Sequence, residues 1–167
     1  RGNINSKGQK HWFSTDSYSL DYSLITKDEK MVKATYAGNK WDDDDYLKFI
    51  QNSKNKLKIM ERESITIKPG EYRTYIASAG VSDLIDMLSW NGISESSIQQ
   101  GHSALGKMRN EKLKLSPCFS LFEDFRSGSV PKFNSEGEIA SDIMPLFNKG
   151  ILSNTLISSR TAKEYNL

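Results

Sequence analysis

The sequence is poor in residues that form cross-links or bind metal ions: its 167 residues include one cysteine, Cys118, and two histidines, His11 and His102. A single cysteine excludes an internal disulfide and favours a reducing compartment, so we expect a cytoplasmic protein. No apolar run approaches the roughly 18 residues that a membrane span needs. The chain also lacks a basic-then-apolar signal segment at its start. We therefore expect no membrane partner.

An excess of either charge is also missing. The 23 Lys and Arg residues and 21 Asp and Glu residues give a net charge of +2, which argues against direct contact with nucleic acid. The length suggests one domain or two small ones, enough for a hydrophobic core. The chain starts at Arg1 and stops at Leu167, directly after the helix-like Ser159–Tyr165, so we expect a piece of a longer protein.

The first part of the chain predicts antiparallel strands. Apolar residues alternate strictly from Tyr18 to Leu24, which is the period of a half-buried strand. Residues 27–30 are typical of a turn, and Met31–Tyr36 is expected to return as the partner strand. A second turn is predicted at Asn5–Gly8, before Trp12 and Phe13. Together these segments predict a small antiparallel meander.

A helix should follow, with Asp42 as its cap and Asp43–Asp45 in its first turn, where negative charge is favourable. Its predicted apolar face follows a helical spacing and consists of Tyr46, Phe49, Ile50, Leu57 and Met60. The same acidic run does not fit a calcium loop, because it has no alternating ligands around a central Gly and no closing Glu.

Beyond Pro69-Gly70 the pattern predicts a strand, two helices and then further strands. The first predicted helix holds Val81, Leu84, Ile85 and Leu88 on one face. The second begins at Ser94 and runs towards Ser103. A three-residue hairpin with Gly in the left-handed position is expected at Asn148-Lys149-Gly150. The predicted strands are Tyr72–Ala77, Leu113–Ser116, Ser120–Asp124, Ile143–Phe147 and Ile151–Ile157. The expected fold class is α+β, mostly antiparallel strands with two or three packed helices.

Sequence-local motifs for catalysis are weak. Zinc needs three or four His, Cys or carboxylate ligands, and no pair among His11, His102 and Cys118 has ligand spacing. We expect the histidines to be partly exposed or hydrogen-bonded and Cys118 to be a small buried hydrophobe. In Gly101-His102-Ser103 the base and hydroxyl are adjacent, which is a poor geometry on a helix. Asp83 and Asp86 could form an acid–base pair, but a solvated helix face is the simpler interpretation. We therefore name no catalytic, metal or cofactor residue.

Several motifs, in order, resemble the TldD/PmbA family, peptidases also described as modulators of DNA gyrase. The first is Pro69-Gly70-Glu71-Tyr72, followed by a strand and a helix. The others are Gly101–Lys107, Leu113-Lys114-Leu115, Asn134-Ser135-Glu136-Gly137, Leu146–Leu152, Ala162 and, less specifically, the upstream turn Asn5–Gly8. The resemblance implies a middle portion of a full-length member, with residues 1–66 as a middle-domain piece and residues 67–167 as the start of a C-terminal peptidase-like domain.

One departure from the family pattern directs the functional hypothesis. Metal-bearing members place a His-Glu-x-x-x-His type sequence on the helix that corresponds to Val81–Asn91, where this chain has neither His nor Glu. The resemblance therefore implies the PmbA-like (TldE-like) branch, whose subunit lacks metal and pairs with a metal-bearing one. We expect zinc only in a TldD-like partner, a dimer with that partner or with itself, and a peptide substrate held through a strand edge. Two alternatives stay open: a peptide- or partner-binding module without proteolysis, and a divergent active metallopeptidase.

Overall fold

Seven strands and five helices follow one another in the computed structural model, which describes residues 1–167. Contacts divide them between two units, the first made of Arg1–Glu71 with Ser129–Glu138 and the second of Tyr72–Gly128 with Ile139–Leu167. All strand pairs within the sheets are antiparallel, which confirms the α+β class. The assignment of residues 1–66 and 67–167 to two family domains stays a prediction.

Two hairpins and one helix build the first unit. Strands β1 (Gly2–Ile4) and β2 (Lys10–Trp12) flank the predicted Asn5–Gly8 turn, and β3 (Tyr18–Ile25) pairs with β4 (Met31–Gly38) along its whole length. The turns and the alternating strand are confirmed. The single meander is wrong, because each hairpin forms its own two-stranded sheet.

Helix α1 (Asp43–Met60) packs against the second hairpin. The predicted cap is confirmed: Asp42 Oδ1 accepts a hydrogen bond from the Asp45 amide at 2.9 Å. Tyr36 of β4 is buried among aromatic rings at centroid distances of 5.1–5.6 Å. These rings belong to Tyr18, Trp41, Tyr46 and Phe49. Met60 was expected on the buried face but is exposed, because the helix continues past the end of the hairpin's aromatic cluster.

A third part of the first unit is the loop Ser129–Glu138, held against the β1–β2 hairpin. The Asn3 side chain donates to the Ser135 carbonyl at 2.6 Å, and Gln9 donates to the Gly137 carbonyl at 3.1 Å. The Asn134 side-chain oxygen accepts from the amides of Glu136 and Glu138, both at 3.0 Å. The motif that resembles the family's Asn-x-Glu-Gly turn is therefore a turn.

The second unit begins with an extended segment and three helices. Helices α2 (Ser78–Ser89), α3 (Glu95–Gln99) and α4 (Leu105–Asn110) are present, but α3 stops well before Ser103, because Gly101 adopts a left-handed φ of 75°. No residue of α2 is buried. The predicted strand Tyr72–Ala77 is wrong: it has no partner strand, and Tyr75 is 90% exposed. Its carbonyls at Tyr72 and Ala77 instead accept local hydrogen bonds, from the Thr74 hydroxyl at 3.1 Å and from the Val81 amide at 3.0 Å.

A three-stranded sheet and a last helix complete this unit. The sheet has the order β5 (Leu121–Asp124), β6 (Ile143–Asn148), β7 (Ile151–Leu152), and α5 (Ser159–Tyr165) has the predicted bounds. The predicted strand Ile151–Ile157 is too long by five residues. The strand ends after Leu152 because the amides of Ser153 and Asn154 both donate to the Leu146 carbonyl. Leu156 instead bridges to Ser94.

The other segment predicted as a strand, Leu113–Ser116, is also wrong. The segment takes part in two backbone hydrogen bonds and no ladder: the Leu115 amide donates to the Gly150 carbonyl, and the Ser116 carbonyl accepts from the Phe119 amide, both at 2.9 Å. The core of the second unit lies between the sheet and helices α3 and α4. Its buried side chains are those of Ile93, Ile98, Leu105, Leu146 and Phe147.

Candidate functional site

The tip of the β6–β7 hairpin defines which backbone groups of β7 are free. Asn148 and Ile151 face one another across a two-residue turn in which Lys149 (φ 47°) and Gly150 (φ 79°) are both left-handed. The turn is therefore one residue shorter than predicted. In such a turn the flanking pair exchanges both of its backbone hydrogen bonds.

Leu152 is the residue whose backbone faces away from the sheet. Its neighbour Ser153 donates to the Leu146 carbonyl at 2.9 Å, so the two residues that flank Leu152 both bond to β6. Because hydrogen-bonded and non-hydrogen-bonded positions alternate in antiparallel ladders, the Leu152 N–H and C=O point outwards. Strand β7 lies at the edge of the sheet. Edge strands of this kind can pair with another extended chain.

A buried carboxylate lies beside this edge. Glu95 is 2% exposed, and its two oxygens accept one hydrogen bond each from the Arg109 guanidinium, both at 2.7 Å. The Gln99 side chain also donates to Oε1 at 2.7 Å, and the Thr155 hydroxyl donates to Oε2. These contacts connect α3, α4 and the segment after β7. The carboxylate is thus fully satisfied within the protein.

These partners favour the charged form of Glu95. The hydrogen bonds from Arg109, then those from Thr155 and Gln99, lower the pKa of the Glu95 carboxyl from 4.5 to about 2, against the opposing effect of burial. The same pair raises the pKa of Arg109. Both groups are charged at neutral pH, and Arg109 remains partly exposed, with 40% of its side-chain surface accessible.

A cleft of about 340 Å³ opens between the end of α4, the segment that follows it, and β7. Its lining combines apolar side chains, three cations and three polar residues. These are Met108, Leu113, Ile151 and Leu152; Arg109, Lys112 and Lys114; and Ser153, Asn154 and Thr155. No carboxylate lines it. A trough that combines apolar and polar side chains with an open strand edge is suited to an extended chain.

The residues weighed from the sequence as zinc ligands have other surroundings. His11 Nε2 lies 3.1 Å from the Gly137 carbonyl, to which it must donate, and the ring stacks on Phe133 at 5.1 Å. His102 is exposed, and so is Cys118, which corrects the expectation that this thiol is buried. The Leu115–Phe119 loop is held by backbone bonds at the hairpin tip and by the Phe119 ring, which lies 5.5 Å from that of Phe147, and Cys118 between these contacts stays exposed.

The other candidate groups are also separate. The Ser103 hydroxyl donates to the Gly92 carbonyl and accepts from the Leu105 amide at 3.1 Å, with no bond to His102. Asp86 accepts from Ser89 at 3.2 Å and not from Asp83. No group of three or more His, Cys, Asp or Glu side chains is placed to hold a metal ion. The donors of this chain therefore do not by themselves fit a metal centre.

Sequence reasoning missed both the buried network and the cations of the cleft. Glu95 and Gln99 are one helical turn apart, which is a local signal for contact. Arg109 and Thr155 are distant in sequence, and only folding brings them to Glu95. The lysines at 112 and 114 are two among many scattered lysines.

Residues 69–167 match the PmbA/TldA metallopeptidase C-terminal domain, and this match covers more than half of the chain. The chain therefore belongs to the PmbA/TldD family. Comparison with curated proteins and with solved structures gives no match. No helix is both long and apolar enough to cross a membrane.

Proposed function

We propose that this chain is part of a PmbA/TldE-like, non-catalytic subunit of a zinc-dependent peptidase complex that processes peptides. In this proposal the subunit binds an extended peptide, and a metal-bearing TldD-like partner cleaves it. The subunit forms a dimer with that partner and acts in the cytoplasm, on peptides and not on nucleic acid.

One observation carries the peptide-binding role: the outward N–H and C=O of Leu152 lie at the edge of a cleft with apolar walls. A peptide strand that pairs there gains main-chain hydrogen bonds, which do not depend on its sequence. The neighbouring apolar side chains contribute contact area to whatever side chains the peptide carries. This arrangement suits an unfolded substrate.

The non-catalytic role is supported by the residues of α2. In metal-bearing members of the family this helix carries the His-Glu-x-x-x-His type sequence, whereas here its acidic residues are Asp83 and Asp86 and it has no histidine. A bound metal would supply a polarised water for amide hydrolysis. We assign that chemistry to the partner subunit.

Reconstitution of the full-length protein with its metal-bearing partner tests the assignment of roles. We expect peptide cleavage only by the pair, with zinc in the partner by metal analysis. Cleavage by the full-length protein alone, with bound metal, would instead favour a divergent active metallopeptidase. Peptide binding with no cleavage by any assembly would favour a binding module.

Alternate N-methylation of a peptide tests pairing at β7 separately from cleavage. In an extended peptide, alternate residues direct their N–H groups to opposite edges, so two isomers methylated on odd or even residues block different edges. Each isomer keeps one free edge and can still pair with β7, so a third peptide is methylated on every residue to block both edges. We expect this third peptide to bind about fivefold to tenfold more weakly than either isomer. Equal affinities of all three peptides would contradict strand pairing. Hydrogen exchange gives the second readout: the Leu152 amide should become protected when the unmethylated peptide binds.

A further inference from the structure

The cleft beside β7 carries unbalanced positive charge. Arg109, Lys112 and Lys114 line it, and no Asp or Glu does. Glu95 lies behind Arg109 and has both oxygens occupied by protein donors. This carboxylate neutralises Arg109 and has no lone pair directed to the lysines. The two lysines therefore provide the uncompensated charge of the cleft.

Neither lysine has another use in the fold. Their side chains make no hydrogen bond or ion pair, and both residues are exposed. Buried or paired lysines would have their charge satisfied within the protein, whereas these two side chains are exposed to solvent. They are available to an anion that enters the cleft.

Lys112 also occupies a backbone position that lysine does not favour. It follows the end of α4 with a left-handed φ of 53°, where glycine or asparagine is usual. A lysine here destabilises the fold relative to glycine. Replacement of Lys112 by glycine is therefore expected to relieve this strain.

We infer that Lys112 and Lys114 bind a carboxylate of the peptide, so that the cleft selects acidic peptides or peptides with a free C-terminus at this point. The inference rests on the proposed function, since the peptide backbone is held by β7. Arg109 is a positioning residue: its guanidinium is fixed by Glu95 and forms a wall of the cleft. Two exposed ammonium–carboxylate pairs are expected to give about threefold to tenfold tighter binding.

Four fluorescent peptides of one sequence test this selectivity with the full-length protein. A central residue is Gln or Glu, and the C-terminus is amidated or free. We expect the carboxylate-bearing peptides to bind about threefold to tenfold more tightly than the Gln amide, with the preference reduced at high salt. Tighter binding of the Glu amide would indicate a side-chain carboxylate, and tighter binding of the Gln peptide with a free C-terminus would indicate a terminal one.

Three variants identify the groups responsible. Lys112→Gln with Lys114→Gln should abolish the preference, so that the four peptides bind this variant with similar affinity. Lys107→Gln removes the same charge from an exposed α4 position outside the cleft and should preserve the preference. Lys112→Gly relieves the left-handed strain, so it should fold at least as stably as the parent and still weaken the preference.

The outcomes distinguish failure of the proposed function from failure of this inference alone. If no peptide binds, the proposed function fails and the inference falls with it. If all four peptides bind equally, or if the double variant keeps the preference, the inference alone is overturned and peptide binding stands.

Discussion

The Arg109 guanidinium and the Glu95 carboxylate form a bidentate pair, with both N–O distances at 2.7 Å. This pair joins α4 to α3, and Thr155 joins the same carboxylate to the segment that follows β7. The pair therefore ties together the helices and the edge strand that border the cleft. A planar fork of two parallel hydrogen bonds also fixes the direction of the Arg109 side chain.

Removing the charge of Glu95 should destabilise the chain while preserving its shape. Glu95→Gln replaces one of the two carboxylate oxygens that accept from Arg109 with an amide nitrogen. The hydrogens of this amide repel an N–H group of the guanidinium. We expect the free energy of unfolding to fall by about 2–3 kcal/mol, because hydrogen bonds to charged groups are the strong ones. Urea unfolding followed by circular dichroism measures the change. Glu111→Gln, at an exposed position after α4, should change stability by less than about 0.5 kcal/mol.

Lowering the pH should remove the contribution of Glu95 to the free energy of unfolding over a defined pH range. The pKa of this carboxyl is about 2 in the folded chain and 4.5 without its partners, so the unfolded chain takes up the proton first. The stabilisation is full above pH 4.5 and is lost as the pH falls through 2. We expect a loss on the order of 3 kcal/mol in the parent that Glu95→Gln does not show.

Urea unfolding of both proteins from pH 7 to pH 2 measures this difference. Other carboxylates, including that of Asp124, whose pKa Arg126 lowers to about 2, contribute equally to both curves and cancel. The two stability curves should converge near pH 2. Parallel curves over the whole range would show that Glu95 does not titrate as the structure requires.

Ser103 should behave as a structural residue. Its buried hydroxyl donates to the Gly92 carbonyl and accepts from the Leu105 amide. Ser103→Ala leaves both groups without that partner and should lower the free energy of unfolding by about 1–3 kcal/mol. Cleavage by the reconstituted full-length pair should persist at a temperature where the variant is folded. Its complete loss would return Ser103 to the candidate nucleophiles, with Ser82→Ala on exposed α2 as the control.

Local sequence signals were sufficient where one segment sets its own structure. The Asp42 cap, the alternation from Tyr18 to Leu24 and the helix Ser159–Tyr165 each depend on neighbours in the chain, and all three are present. The segments Tyr72–Ala77 and Leu113–Ser116 have strand-like composition, but a strand also needs a partner. Their sequences contain no information about the absence of that partner.

The candidate site was less accessible to sequence reasoning for the same reason. Glu95 resembles any exposed helix-start carboxylate until Arg109 and Thr155 are placed beside it by the fold. The family motifs identify the correct family, and one of them includes Leu146–Leu152. They could not show that Leu152 turns its backbone outwards, since this follows from the turn being two residues long.

The tight hairpin that orients Leu152 should depend on Gly150. This residue has a left-handed φ of 79°, and a Cβ at this position would collide with the Leu115 carbonyl oxygen and lie 2.7 Å from that of Ser116. Gly101 has a similar φ of 75° with no atom within 4 Å of its would-be Cβ. Gly101→Ala should cost about 1–2 kcal/mol through its backbone conformation alone. Gly150→Ala should cost about 1–3 kcal/mol more, because backbone atoms must also move. Urea unfolding of the two variants measures the difference, and equal losses would contradict the close approach of Leu115 and Ser116 to the turn.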